Sequence, residues 1–410
     1  MVVEGNAEEI SQTPAFSKEL LQKAESGDAD AQLEIATCYG EGLGVERNKQ
    51  TAFEWVKKSA AQGNRKAILT QARCYLFGLG VPWDEEKAQP IFQEAESGQA
   101  RAQTDLGNYF SGKYGRTEKR DPQKALFWWE KAANQGYEWA QLNLAKAYVE
   151  GLGGTKDYQK AFTLFQKAAD QGNSEAVLEL GICHREGRGV SKDPVKAKKW
   201  FEKSAQQNNA VGLASLGEFY ERGWGDAPVD FQKATELYQK AADQNYAWAQ
   251  ERLGYLYFNG IGVEKDLAKA FAMAQKASDL GSPSAQLALG SLYYTGKVPE
   301  NKKTSDPRKP SYRKKDFQKA FAWTLKSAEG GYKDAQYNVA ILYWRGDGTE
   351  VDLEKARFWM GKVADRGDPQ AKEMLGWIIA SQKADKIIDG WFSFGDKPTT
   401  DSPANPQQNP

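Results

Sequence analysis

The residues of this 410-residue chain whose types could do chemistry are three cysteines, one histidine, a series of glycine pairs and 55 carboxylates. A histidine serves in catalysis only beside a positioned partner. With His184 as the single histidine, a multi-histidine metal site is impossible, and no Cys/His cluster has the spacing of zinc ligands. The glycine pairs, such as Gly42/Gly44 and Gly187/Gly189, look superficially like phosphate-cradling loops. They follow helical rather than strand-like stretches and lack the lysine and Ser/Thr of a P-loop. The carboxylates are scattered over polar faces and form no repeated convergent pair, so nothing suggests acid–base catalysis. The expectation is a chain that is not an enzyme, with no catalytic residues, metal or cofactor.

The elements that carry these residues explain them better. The pattern Ala-x-x-x-(Leu/Ile/Val)-(Gly/Ala)-x-x-(aromatic) starts at Ala31 and returns at Ala102, Ala140, Ala176, Ala249, Ala285 and Ala335, with looser copies at Ala67, Gly212 and Ala371. The ten starts are 36, 35, 38, 36, 36, 37, 36, 50 and 36 residues apart. Such regularity signals a stack of repeats. Positions 0, 4, 7 and 8 of each unit share one helical face, and small residues at 0 and 5 admit a neighbouring helix. Glycines at positions 11 and 13 stop that helix and turn the chain. A second helix follows, as in Ala125 with Trp128 or Ala356 with Trp359, and ends at a glycine such as Gly63, Gly136 or Gly172. Asn208 and Asn245 replace that last glycine in two copies, so the slot requires a left-handed backbone and not merely a small side chain.

Within this frame Cys38, Cys74 and Cys183 all occupy position 7, where other copies have alanine or leucine. They read as small buried apolar residues. Cys38 and Cys74 lie on stacked helices about 8–10 Å apart. That exceeds the usual Cα span of a disulfide, about 4.4–6.8 Å. His184 occupies position 8, the slot of Tyr39, Tyr75, Phe110, Tyr148, Tyr220, Tyr257, Tyr293 and Tyr343, and reads as a flat packing ring.

The composite A-x-x-x-L-G-x-x-Y-x-x-G-x-G-V followed by K-A-x-x-W-x-x-K-A-A-x-Q-G stands most plainly at residues 176–190 and 124–136. It resembles the Sel-one-like repeat (SLR) family, over about residues 18–380. The resemblance implies an all-α fold, a right-handed superhelical α/α solenoid related to tetratricopeptide arrays, with about ten helix–turn–helix repeats. It implies adaptor or scaffold roles in signalling, protein quality control or bacterium–host contacts. Some SLR proteins bridge the two helices of a repeat by a disulfide, but here the second helices hold no cysteine. The organisation expected is a flexible N-terminus (1–14), a capping helix (15–27), the solenoid (28–380), a capping extension (381–394) carrying Trp391, Phe392 and Phe394, and a disordered tail (395–410).

Lys plus Arg equal Asp plus Glu, 55 each, which argues against a nucleic-acid or anionic-membrane binder as a whole. No run of 18 apolar residues predicts a membrane span. The N-terminus has neither a basic nor an apolar signal region, so the expected compartment is the cytoplasm, or a secreted or periplasmic one if the chain is a processed form. The protein is expected to act as a monomer.

Two features are candidates for function. Position 9 becomes aromatic on three successive repeats, at Phe258, Tyr294 and Trp344, and Tyr255 and Trp377 at position 6 extend that surface. In arrays of this kind positions 2, 6, 9 and 10 face the groove, where exposed aromatics suit a peptide hot spot. The alternative is that they pack between repeats. Arg185, Arg222, Arg252 and Arg345 would set orientation. The second feature is the 14-residue excess in the 50-residue spacing: residues 297–315 carry eight Lys/Arg against two acidic residues. They form either a solvated loop or a docking element for an acidic partner. The function expected is a non-catalytic scaffold holding a protein or peptide in its groove. The rivals are an enzyme or binder of a small, cell-wall-related ligand, and a secreted or envelope-associated host-interaction factor.

Overall fold

The computed structural model describes residues 15–113, 117–154, 156–298 and 315–393, with side chains to residue 383. The N-terminal 1–14, most of the 297–315 insertion, Phe394 and the tail 395–410 lie outside the described residues. The described residues contain twenty α-helices, one 3₁₀ turn (Thr117–Lys119) and no strand. The helices are α1 (Lys18–Glu25), α2 (Ala29–Glu41), α3 (Lys49–Ala61), α4 (Arg65–Phe77), α5 (Gln89–Glu96), α6 (Ala100–Ser111), α7 (Pro122–Asn134), α8 (Glu138–Glu150), α9 (Tyr158–Asp170) and α10 (Ser174–Glu186). They continue as α11 (Pro194–Gln206), α12 (Ala210–Arg222), α13 (Phe231–Ala242), α14 (Ala247–Asn259), α15 (Leu267–Asp279), α16 (Pro283–Thr295), α17 (Phe317–Glu329), α18 (Lys333–Arg345), α19 (Leu353–Ala364) and α20 (Pro369–Ser393). Even-numbered helices are the first helices of the repeats.

The chain divides into two compact units, Met1–Gly212 with Trp224–Asp226, and Leu213–Gly223 with Ala227–Pro410. Consecutive helices pack in series from α1 to α11 and from α13 to α20. In the first unit α6 also touches both α4 and α8, so first helices stack on first helices. This is the contact pattern of a helix-hairpin solenoid, in which each repeat completes its core on its neighbours.

One aspartate does much of the local work in most repeats. Asp121, Asp157, Asp193, Asp266, Asp316 and Asp352 each cap a second helix, accepting the backbone N–H three residues on. Such a cap contributes about 1 kcal/mol. The same residue's own N–H donates to the carbonyl of position 8 in the preceding helix: Asp121 to Phe110 at 2.7 Å, Asp193 to His184 at 2.8 Å, Asp352 to Tyr343 at 3.0 Å. The lysine three residues on pairs with the aspartate and lies over the position-8 ring, as Lys355 does 5.4 Å from Tyr343.

The position-8 ring turns its other side to the second helix before it. Tyr75 meets Phe53 at 5.3 Å, Tyr293 meets Phe271 at 6.0 Å and Tyr343 meets Phe321 at 5.0 Å, all edge to face. His184 makes the same contact with Phe162 at 5.6 Å. The histidine therefore stands in the tyrosine slot. Burial, reinforced by the Lys196 charge, lowers its pKa. The three cysteines are buried and none forms a disulfide. Burial pushes the Cys74 thiol up to about 11 and the Cys183 thiol up to about 12, and raises Cys38 as well.

The turn after several first helices presses on the first turn of the preceding second helix. A Cβ on Gly189 would stand 1.9 Å from the Tyr158 carbonyl oxygen, and one on Gly348 would stand 1.9 Å from that of Phe317. Gly172, at the end of a second helix, also has a left-handed backbone (φ +94°), but a Cβ there meets nothing within 4 Å. Asn208 and Asn245 are the non-glycine residues with positive φ, 57° and 61°, among the described residues. No described helix is long and apolar enough to cross a membrane.

This packing can be tested at three places: the turn glycines, the histidine and the thiols. Gly172→Ala should cost only the left-handed backbone term, about 1–2 kcal/mol, whereas Gly189→Ala should add the displacement of a helix carbonyl, about 1–3 kcal/mol more. Urea midpoints read the difference, and equal losses would contradict the contact. His184 is harder to protonate folded than unfolded. Its contribution to stability is complete above about pH 6.5 and is lost as pH falls from there toward the depressed value. His184→Tyr, which refills the slot, should flatten that segment of the stability profile, and the three thiols should resist a disulfide reagent at pH 8 until urea is added.

Candidate binding site

The described residues hold no group of three or more His, Cys, Asp or Glu side chains placed to grip a metal. What the second unit does hold is an open hollow of about 480 Å³ between α14 and α16, floored by Ala270 and Ala274 of α15 and closed at one end by Tyr332. Its α14 wall is Trp248, Arg252, Tyr255 and Phe258, and its α16 wall is Ser284, Ala288, Ser291 and Thr295.

The hollow follows from a change in side-chain size along one face. Elsewhere, polar side chains bridge neighbouring first helices on this face. Arg73 Nε lies 2.8 Å from Asp105 Oδ2, Asn143 Nδ2 donates to Asn108 Oδ1 at 3.1 Å, and Lys146 pairs with Glu175. Asp105 is fully buried, and burial raises its pKa against the opposing pull of Arg73. Arg252 continues the series by pairing with Glu221, which also accepts the Tyr238 hydroxyl at 2.7 Å. Burial, then the bond to Glu221, raises the Tyr238 pKa. At the next step α16 offers alanine and serine, and its sequence PSAQLALGSLYYT contains no charge. No side chain crosses from α16 to fill the space, so the aromatic wall of α14 stays open.

Several polar groups at the hollow are already engaged. The Ser282 hydroxyl donates to the Glu251 carboxylate. The Thr295 hydroxyl donates to the Ser291 carbonyl at 2.8 Å. The Arg252 guanidinium lies 5.1 Å from the Tyr255 ring centre. Such a surface offers rigid apolar contact more than it offers reactive groups.

The structure brings together three of the residues singled out from sequence: Arg252, Tyr255 and Phe258. Tyr255 is 49% exposed. Phe258 is half-buried beneath Lys297 and Lys265. The others lie elsewhere. Tyr294 packs edge-on against Phe317 at 5.1 Å and its hydroxyl donates to Asp347 at 3.0 Å. Trp344 packs on the core formed by α18, α19 and α20, with its Nε1 3.4 Å from the Ser381 hydroxyl. Position 9 therefore serves inter-repeat packing in these two repeats. Trp377 is 62% exposed on α20, and Arg345 is exposed at the end of α18. Arg222 pairs with Glu218 at 2.9 Å. Arg185 pairs with Glu186 at 2.9 Å and stacks over Phe201. The reading from sequence missed Trp248 and Tyr332, which flank the repeat start, and missed Ala288, which faces the hollow from position 3 beside the Arg252 it did name. The signal available was the uncharged stretch of α16.

The model of the Sel1 repeat matches ten segments: 29–64, 72–95, 100–137, 140–173, 174–209, 210–246, 249–282, 283–305, 311–332 and 333–368. Among solved structures, the chain is similar to a protective antigen of uropathogenic Escherichia coli strains that displays an SLR fold. That match has 30% identity, 88% of this chain and 82% of that one covered, and a TM-score of 0.50. It is also similar to a Sel1 repeat protein of Oxalobacter formigenes, at 25% identity over 92% of this chain and 97% of that one, with a TM-score of 0.53. No curated protein matches the chain. The repeats, their capping pattern and these matches agree, and the chain belongs to the Sel1 repeat family.

Proposed function

We propose that this protein is a non-catalytic interaction scaffold, acting as a monomer, which docks a peptide or protein segment in the hollow between α14 and α16. Sel1 repeats are commonly protein-interaction scaffolds. The observation that carries the siting is the hollow itself: a space of about 480 Å³ walled by Trp248, Tyr255 and Phe258, beside which Ser282 is bonded to Glu251 and Thr295 to the Ser291 carbonyl. Aromatic walls with few rotamers bury large area at low entropic cost, which is what an interaction hot spot needs. Trp377 and Arg345 are accessory contacts in this reading, while Tyr294 and Trp344 hold the repeats that frame the site.

A second reading is favoured by the volume alone, which falls in the range of small-ligand pockets, about 300–1,000 Å³. For the compartment we propose the cytoplasm, which suits three thiols outside any disulfide. The description of the E. coli relative as a protective antigen favours a secreted or envelope-associated role as the alternative. Cell fractionation separates the two.

The double substitution Tyr255→Ala/Phe258→Ala should remove the partner from an affinity purification with the helical signal intact. Trp344→Ala should instead lower stability by about 2 kcal/mol, the cost of a half-buried large ring, and leave the partner bound below the new melting point. Full recovery of the partner with the double variant would overturn the siting.

A further inference from the structure

The hollow is electrically one-sided. Glu251 and Phe258 stand seven residues apart on α14, about 10 Å along the helix axis. At the Phe258 end the aromatic ring carries two ammonium groups, Lys297 at 4.8 Å and Lys265 at 5.9 Å from its centre. Neither lysine makes an ion pair among the described residues. Of the other charges at the hollow, Arg252 is paired with Glu221, while Glu251, at the opposite end, accepts only from the neutral Ser282 hydroxyl and keeps its negative charge. The α16 wall adds no charge. In sequence, residues 297–315 hold eight Lys/Arg against two acidic residues. The unopposed charge at this rim is therefore positive, in a protein whose total charge is zero. A cation resting on an aromatic face remains free to take a carboxylate on its other side.

We propose that the occupant is an acidic peptide segment, with one aromatic or branched apolar side chain seated between α14 and α16 and carboxylates following it on the Phe258 side. This rests on the docking reading above and adds the chemistry and direction of the partner. The apolar anchor supplies most of the affinity, and the lysines supply selection, faster association and sensitivity to salt. Glu251 at the opposite end disfavours the reversed direction.

The test uses the full chain and three fluorescein-labelled dodecapeptides in fluorescence polarisation. One carries a tryptophan followed by four glutamates, one the same tryptophan followed by four lysines, and one the glutamates with serine in place of the tryptophan. The first should bind at least about tenfold tighter than either of the others and weaken as salt is raised. Lys265→Glu/Lys297→Glu should reverse the preference between the two charged peptides. Ala288→Trp, at an exposed position on the α16 wall, should fill the hollow and weaken the first peptide at least about tenfold, with unchanged circular dichroism. Equal binding of both tryptophan peptides, lost in Ala288→Trp, would overturn the acidic assignment and leave docking in the hollow standing. Preference for the lysine peptide would overturn it by giving control to Glu251. Binding unchanged in both variants, or absent at millimolar peptide, would also overturn it, while the Tyr255/Phe258 purification judges the docking reading separately.

Discussion

The glycine that follows the stop of most first helices by two residues is the constraint on which the rest depends. At Gly189 and Gly348 the turn lies so close to the first turn of the previous second helix that a single added carbon would overlap a carbonyl oxygen. The contact is backbone on backbone, so it fixes the step from one repeat to the next without reference to side-chain identity. In most repeats the capping aspartate then joins the first helix to its second helix through the position-8 carbonyl. With the step set by main chain, the faces of the first helices become a frame on which side-chain size alone decides what is filled and what is open. Asp105 with Arg73, Asn108 with Asn143 and Arg252 with Glu221 fill it. Ala288 and Ser291 do not, and the hollow is the result.

Much of this was legible in the sequence because it is local. The left-handed stops follow from the glycine periodicity, and the two asparagines that replace glycine do adopt positive φ. The single histidine falls in a tyrosine slot with the same edge-to-face phenylalanine contact as its counterparts. The site was legible only in part. Periodicity places Phe258, Tyr294 and Trp344 at one register position, but register does not say what stands opposite. Phe258 faces alanines and serines and stays accessible. Tyr294 meets Phe317, and Trp344 meets the core under α20. That difference depends on residues 23 to 37 positions away. Tyr332 was illegible for the same reason, since it enters the hollow from a turn belonging to the next repeat.

The chemistry of the hollow suits holding more than transforming. The Thr295 hydroxyl is donated to a helix carbonyl and that of Ser282 to Glu251, the guanidinium is paired, and the α14 wall is aromatic. A partner gains from these walls by covering them, and the gain is large because the aromatics are already fixed by the helices that carry them. The uncharged α16 has a structural part as well: a neutral helix leaves the two rim lysines unopposed. Family membership says that such arrays commonly serve as scaffolds, and the local geometry gives this one a specific place to do so.

The central claim is that the partner sits on the α14–α16 face. The most direct measurement is site-specific photocrosslinking in cells, with a benzophenone amino acid placed at Ser291, exposed inside the hollow, or at Lys199, exposed on the second helix α11 of another repeat. The account predicts one defined partner adduct from position 291 and none from position 199. An adduct of equal yield from both positions, or one from position 199 alone, would contradict it.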